Sequence, residues 1–181
     1  FDPHSTMKPS TAPPQRFSAA AEAGAVHPDL GSQLIELLGR GGVLGDVYDW
    51  GEQDYEALYA LGHNLYAQAR YFDAMKAFGY LVMHNHLERR FLNAFAASLQ
   101  MCKSYDEALK YYQMALMMDM SEPAPAFHAC ECMVALGRVQ QAREGLGAVI
   151  ALAQGKEQHQ ALAQRAQALL GLLGTDTAAG A

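Results

Sequence analysis

Apolar residues recur at helical spacing along most of the chain, and short glycine-rich or polar segments separate the apolar stretches. Residues 30–39 place Leu34, Leu37 and Leu38 on one face, which predicts a short amphipathic helix. The Gly39-Arg-Gly-Gly42 sequence ends it, because glycine is costly inside a helix and suits tight turns. Further helices are predicted within 43–50 (short, or only a turn), at 53–69, at 72–84 and at 157–173.

The apolar pattern also repeats at a fixed interval. Ala74, Ala108 and Ala142 follow one another at 34 residues, and bulky residues keep the same offsets around them: Tyr71, Tyr105 and Val139 before, Phe78, Tyr112 and Leu146 after. A period of this length is that of the tetratricopeptide repeat, a pair of antiparallel helices that stacks on its neighbours into a solenoid. We therefore predict an all-α tetratricopeptide solenoid of three helix-pair repeats, with an N-terminal helix and a C-terminal capping helix.

The repeat frame divides the chain into consecutive regions. Small residues mark where the two helices of a repeat must cross closely: Gly62, Ala96 and Cys130 in the first helices, and the three alanines in the second. The expected regions are a tag remnant and disordered tail (1–29), an N-terminal helical segment (30–50), the repeats (51–156, as 55–88, 89–122 and 123–156), the capping helix (157–173) and a disordered tail (174–181).

Composition removes several classes of function. Thirteen basic residues stand against nineteen acidic ones, for a net charge of −6, and no basic stripe with interleaved aromatics appears. Nucleic acid is therefore not an expected partner, and no apolar run is long enough to predict direct membrane insertion. The three cysteines include a Cys130-Glu-Cys132 pair with no second thiol pair beside it, so we expect reduced thiols, no disulfide and no metal or other cofactor.

Groove-facing positions of the repeats give the candidate binding residues. These positions carry Tyr59, His63 and Tyr66 in the first repeat, Arg90, Asn93 and Met101 in the second, and Phe127 and Glu131 in the third. Aromatic residues at positions open to a groove favour ligand binding, although the C-terminal helix or a dimer partner could cover them instead. The remaining methionines, including Met114, Met117, Met118 and Met120, are expected mostly in the core.

Polar residues in the groove set limits on its chemistry. Lys and Asn at fixed positions clamp a ligand's C-terminal carboxylate in some chaperone-docking repeats. Here those positions carry Tyr59, His63, Ala94, Ala124 and His128 instead. The groove should therefore prefer an extended apolar peptide. His84 and His86 do not share a helix face, which disfavours a metal pair. His128 and Glu131 are interpreted as a structural pair rather than an acid–base pair, because no nucleophile lies nearby.

Several motifs together resemble the class II chaperones of bacterial type III secretion systems. They are Leu58-Tyr-Ala-Leu-Gly-His-Asn-Leu-Tyr66 with Tyr71, the stretch from His86 to Phe91, Asp119-Met-Ser-Glu-Pro123, and Phe127-His-Ala-Cys-Glu-Cys132. The similarity covers about residues 30–170. Such chaperones hold the two hydrophobic translocator proteins, major and minor, in the bacterial cytosol.

The resemblance implies a non-enzymatic cytoplasmic chaperone that keeps translocators soluble and export-competent by binding an extended, proline-bracketed segment in its groove. It assigns pocket roles to Tyr59, Tyr66 and Tyr71 and places His86 at the groove edge. His63 and His84 replace an aromatic and an aliphatic residue of the family pattern. Residues 30–44 become a candidate homodimer interface. The alternative is a repeat scaffold or regulatory partner in the same secretion system, such as a co-factor of a transcriptional activator.

Overall fold

The structure is a computed structural model that describes residues 30–48 and 50–175. Predictions for residues 1–29 and 176–181 lie outside the described residues. The described chain is built from α-helices with one short 3₁₀ turn, Glu157–His159, before the last helix. The helices are α1 (Leu30–Gly39), α2 (Leu44–Val47), α3 (Glu52–Ala67), α4 (Tyr71–His84), α5 (Arg89–Met101), α6 (Tyr105–Met118), α7 (Pro123–Ala135), α8 (Val139–Ala153) and α9 (Gln160–Thr175).

From α3 onward, each helix packs against the next one along the chain, and α9 also contacts α7. Three clusters of buried side chains follow this order, centred on Phe78 and Phe91, on Leu99 and Tyr112, and on Leu146. Neighbour-to-neighbour packing of this kind is what defines a solenoid. The predicted all-α repeat architecture is confirmed.

The small residues lie where the helices come closest. Ala74, Ala108 and Ala142 have no solvent exposure. A Cβ atom built on Gly62 of α3 would lie 2.5 Å from Cε1 of Phe78 on α4, and one on Gly145 of α8 would lie 2.6 Å from Sγ of Cys130 on α7. Separations this short leave no room for a methyl group, so the crossing distance depends on these side chains staying small.

The turn between the two helices of each repeat uses the same backbone conformation three times. Ala69, Lys103 and Gly137 stand at equivalent positions and have φ of 58°, 65° and 73°. This left-handed conformation stops the first helix of the first repeat at Ala67, earlier than the predicted end at residue 69. At the other end of the stack, Leu173 is buried in the third cluster, and α9 continues to Thr175, beyond the predicted end at 173.

The N-terminal helices differ in how they join the stack. The α2 helix contacts α4, and Trp50 after it stacks on the His84 ring with a 4.7 Å centroid distance. On α1, by contrast, Ile35 is 73% exposed and Leu38 is 46% exposed. An apolar helix face open to solvent is unusual for an element whose only task is to cap a core.

The expectation that most methionines are core residues is wrong for α6 and the turn after it. Met117 and Met120 are 80% and 72% exposed, and Met114 and Met118 are also exposed. The inward face of α6 is already filled by Ala108, Leu109, Tyr112 and Ala115, so the methionines occupy the remaining outward positions.

Cys130 and Cys132 are buried, and the three thiols are free. Burial raises the pKa of Cys130 to about 11 and that of Cys132 to about 12, with a further contribution from the charge of Glu131. Both thiols are therefore protonated at neutral pH. A protonated, buried thiol is a poor nucleophile and packs as a small apolar residue.

Two glycine substitutions test the close crossing. Gly62→Ala should lower the free energy of unfolding by about 1 kcal/mol or more, because overpacking against Phe78 exceeds the gain in helix propensity. Gly147 is the matched control, since it lies in helix α8 with open space where a Cβ would stand. Gly147→Ala should raise the free energy of unfolding by about 0.5–1 kcal/mol. Urea denaturation measures both, and equal stabilisation by both variants would contradict the crossing geometry.

Candidate groove for an extended peptide

A cavity of about 470 Å³ opens on the side of the stack formed by the first helices of the three repeats. Helix α3 contributes one wall, α5 the floor and α7 the opposite wall, while α4 and α6 each add one ring from behind. The lining residues are Tyr59, His63 and Tyr66 of α3, Phe78 of α4, Arg89, Arg90, Asn93, Ala94 and Ala97 of α5, Tyr112 of α6, and Glu122, Ala124, Pro125 and His128 at α7.

The α3 wall is aromatic and held in place by ring contacts. The Tyr59 ring centroid lies 4.8 Å from that of His63, 5.7 Å from that of Phe78 and 5.6 Å from that of Phe91. Two turns further along α3, Tyr66 packs edge-on against Tyr71 with ring centroids 5.1 Å apart. Tyr59 and Tyr66 are half-buried, so each presents part of its ring to the cavity. Burial raises the pKa of both phenols, which stay neutral.

Arg90 is the cation nearest to this wall, and its charge is already paired. Its guanidinium forms an ion pair with Glu56 and lies 3.6 Å from Glu88. It also lies over the Tyr59 ring at 5.1 Å. The hydrogen bond to Glu56 raises the pKa of Arg90, which stays charged. Arg90 therefore braces the aromatic wall and is not a free clamp for a ligand carboxylate.

The opposite end of the cavity rests on a chain of hydrogen bonds that joins four helices. Tyr112 Oη donates to Gln100 Oε1 at 2.8 Å, and Gln100 Nε2 donates to Glu131 Oε2 at 3.1 Å. His128 Nδ1 donates to the same carboxylate oxygen at 2.8 Å, and Arg165 of α9 donates to Oε1 at 3.3 Å. The predicted structural pairing of His128 with Glu131 is confirmed.

Glu131 is the centre of this chain of hydrogen bonds. Burial by itself raises the pKa of its carboxyl, but hydrogen bonds from His128 and Gln100, together with the charges of His128 and Arg165, bring the pKa below its ordinary value. The carboxylate is therefore charged in the folded protein at neutral pH, and folding favours that charge. It fixes the orientation of the His128 and Tyr112 rings, which stack with centroids 5.6 Å apart.

The middle of the cavity is lined by small side chains, Ala94, Ala97 and Ala124, around one amide, Asn93. Oδ1 of Asn93 is buried and has no hydrogen-bond partner among the described residues. Small side chains let the main chain of a ligand approach the floor of the cavity. Between the aromatic rings at its two ends there is space for side chains of the ligand. The cavity can thus hold an extended chain with apolar residues.

The structure brings together five of the predicted site residues and places the others elsewhere. Tyr59, His63, Tyr66, Arg90 and Asn93 line the cavity. Tyr71 lies behind Tyr66, and Glu131 lies beneath His128. His86 and Met101 are exposed outside the lining, at the turn after α4 and at the end of α5.

Two predicted groove residues are buried in packing instead. His84 is 3% exposed between the rings of Trp50 and Tyr80, and its Nδ1 donates to the carbonyl of Tyr80 at 2.9 Å. Phe127 is 2% exposed, because the third cluster holds its ring and Arg165 of α9 lies over it at 4.7 Å. For Phe127, covering by the C-terminal helix, the alternative left open above, is the correct interpretation.

The lining residues that the sequence did not predict include Phe78, Arg89, Tyr112, Glu122 and Pro125. Phe78 and Tyr112 come from second helices, whose side chains reach the cavity between the first helices. The repeat offset identified both as packing residues. The one sequence feature that indicated a further role was the hydroxyl group of Tyr112, since a buried phenol needs a hydrogen-bond partner.

The chain is similar to known proteins in both sequence and structure. Residues 103–170 match a family model described as tetratricopeptide repeat. The chain is 32% identical to low calcium response locus protein H of Yersinia pestis, over 76% of this chain and 82% of that protein. It is 37% identical to Pseudomonas aeruginosa PcrH in complex with the chaperone binding region of PopD, with a TM-score of 0.67, covering 71% of this chain and 96% of that one.

A second solved structure is that of the Yersinia enterocolitica type III secretion chaperone SycD in complex with a peptide of the translocator YopD. It shares 31% identity and a TM-score of 0.66, over 70% of this chain and 97% of that one. The chain belongs to the translocator chaperones of type III secretion systems. The family expected from the motifs is thereby confirmed.

The hydrogen bonds of Glu131 predict a pH-dependent stability. Because its folded pKa is depressed, the stabilisation is present above the ordinary glutamate value of 4.5 and is lost as pH falls through the folded pKa. Glu131→Gln should therefore be less stable than the unmodified protein by about 1–2 kcal/mol at pH 7, with a gap that narrows below pH 4.5.

Urea denaturation at pH 7 and at lower pH measures this gap. Glu144→Gln is the matched control, since Glu144 is exposed on α8 and accepts a hydrogen bond only from Gln140 on its own helix. The free energy of unfolding of Glu144→Gln should differ little from that of the unmodified protein at either pH. A Glu131→Gln gap that is unchanged on acidification would contradict the role of the carboxylate charge.

Proposed function

We propose that this protein is a bacterial cytosolic chaperone that binds hydrophobic translocator proteins through an extended segment in the concave cavity. Binding would cover aggregation-prone segments and keep the clients soluble and export-competent. The observation that carries the proposal is the open cavity with aromatic walls at Tyr59, Tyr66 and Phe78, in a family whose solved members hold translocator segments.

The chemistry of the cavity supports an apolar, extended ligand. Each aromatic ring that a ligand covers contributes about 1.5–3 kcal/mol through burial. The nearby cations Arg89 and Arg90 are bound to Asp119 and to Glu56, so little free charge remains to attract a carboxylate. Extended peptides bind such surfaces through main-chain hydrogen bonds for affinity and side-chain pockets for specificity.

The same arrangement favours a binding role without catalysis. His128 and Glu131 are the residues most suited to acid–base chemistry beside the cavity, and both are engaged in the hydrogen bonds that support its end wall. The nearest thiols, Cys130 and Cys132, are buried and protonated at neutral pH. Among the described residues, no helix is both long and apolar enough to cross a membrane.

The N-terminal segment is proposed as a homodimer interface, at residues 30–44. The support is the exposure of Ile35 and Leu38 on α1, which leaves an apolar surface for a second copy to cover. This contact would leave the cavity free, because none of residues 35–44 lines it.

Co-expression tests the function directly. The protein is produced together with each translocator of its own secretion system, and the soluble fraction is assayed for a co-purifying complex. We expect the translocators to become soluble and to co-purify. If no translocator is solubilised while a transcriptional activator or another apparatus protein co-purifies, the scaffold or regulatory function replaces the chaperone function.

A groove substitution tests the site. Tyr66→Ala should weaken translocator binding by at least about tenfold, since it removes an aromatic surface that a ligand covers. Its melting temperature should change little, because Tyr66 is only half-buried. Met117→Ala, on the outward face of α6, is the control and should bind as the unmodified protein does. Titration calorimetry with the purified translocator segment measures both, and unchanged binding by Tyr66→Ala would remove the cavity as the site.

A further inference from the structure

Two buried side-chain oxygens have no hydrogen-bond partner among the described residues, Tyr55 Oη and Asn93 Oδ1. A buried polar atom without a partner destabilises the fold, so each one calls for a physical explanation. Tyr55 Oη lies against Gly45 of α2, in the packed contact between the N-terminal segment and the stack. Asn93, in contrast, lines the open cavity. Its Oδ1 is turned away from the solvent, and a half-turn of the amide group would bring this oxygen to the cavity surface, where a bound molecule could supply the missing partner.

We propose that Asn93 is a specificity-determining residue that pairs with the main chain of the bound segment and fixes its register in the groove. This inference rests on the proposed function. The side-chain amide has an acceptor and a donor on one planar group. One residue of an extended chain presents its N–H and C=O on the same side, so the two groups are complementary and can form two hydrogen bonds.

The surroundings of Asn93 favour a main-chain partner over a side-chain partner. Ala94, Ala97 and Ala124 line the same part of the cavity and leave room for a backbone to come close. The bulky rings of Tyr59 and Tyr66 on one side, and of Tyr112 on the other, define spaces for side chains. The segment therefore places apolar side chains at the two ends and its backbone over the middle, at Asn93.

The charges around the cavity do not favour a charged donor. Arg89 and Arg90 are paired with Asp119 and Glu56, and Glu122 also lines the cavity. The amide of Asn93 is neutral, and a neutral N–H of the main chain pairs with it without the cost of burying a charge. The partner that the site favours is thus a backbone amide of an apolar stretch and not a basic residue.

Asn93→Leu separates this role from a structural one. The substitution keeps the branching of the side chain, with a larger volume that the open cavity accommodates, and removes the unpaired amide, so the melting temperature should stay equal or rise. Binding should weaken about tenfold, the effect of one lost hydrogen-bonding partner in a buried site. The control is Asn64→Leu, since Asn64 is exposed on α3 and outside the lining. It should leave binding unchanged.

The probe is a synthetic peptide of the translocator segment that resists protease digestion in the co-purified complex. A series of peptides carries a single ester in place of one amide, so that each lacks one N–H. One ester position should weaken binding to the unmodified full-length protein about tenfold and binding to Asn93→Leu less than about twofold. That loss of additivity identifies the amide that Asn93 recognises.

The outcomes separate this inference from the function on which it rests. If the unmodified protein binds the peptide and Asn93→Leu binds it equally well, the inference fails and the chaperone function stands. If Asn93→Leu loses both stability and binding, and no ester position is selective, Asn93 is a structural residue and the inference fails. If the unmodified protein binds no translocator peptide, both fail.

Discussion

In the first and third repeats, the two helices approach so closely that a hydrogen atom, but not a methyl group, fits between them at the crossing. In the first repeat this contact is Gly62 against the Phe78 ring, and in the third it is Gly145 against Cys130. The distance between helices sets the angle at which successive repeats stack. The curvature of the stack, and with it the cavity, depends on these contacts. Phe78 takes part in both the helix crossing and the cavity, because its ring packs against Gly62 at the crossing and also lines the cavity.

The charged groups around the cavity are paired with other groups of the protein. Arg90 is bound to Glu56 and Glu88 on one side, and Glu131 is held by His128, Gln100 and Arg165 on the other. Fixed charges that are paired do not attract ions, and the aromatic surface between them remains open to apolar groups. A groove of this kind discriminates by shape and by backbone pairing more than by net charge. That selectivity suits clients that are recognised by a hydrophobic segment.

The sequence predicts the fold well because a 34-residue period constrains every helix at once. The crossing residues follow from the same period, since Ala74, Ala108 and Ala142 must all be small for the stack to form. The period does not determine which faces other segments will cover. Trp50 lies outside the repeats and covers His84, and α9 supplies the arginine that covers Phe127. His84 and Phe127 were therefore wrongly predicted to face the groove. Both wrong predictions arise from contacts between the repeats and the segments that flank them.

The exposed methionines of α6 are another case in which the sequence pattern did not predict which side chains are covered. Apolar composition predicted burial, but the inward positions of that helix were already occupied, so Met114, Met117 and Met118 remain exposed. The cavity residue Tyr112 could not be recognised from position alone, since a hydrogen bond to Gln100 determines where its ring lies. Such side-chain pairing depends on distances between helices that no periodicity contains.

The central claim, that the client occupies the concave cavity, is tested most directly by site-specific photocross-linking in the co-purified translocator complex. A benzophenone amino acid replaces His63, an exposed residue that lines the cavity, or Met117, an exposed residue on the outward face of α6. Mass spectrometry then identifies the cross-linked client residues. The position of His63 should cross-link to one short apolar segment of the translocator, and that of Met117 should not. Cross-linking from the position of Met117, with none from that of His63, would contradict the account.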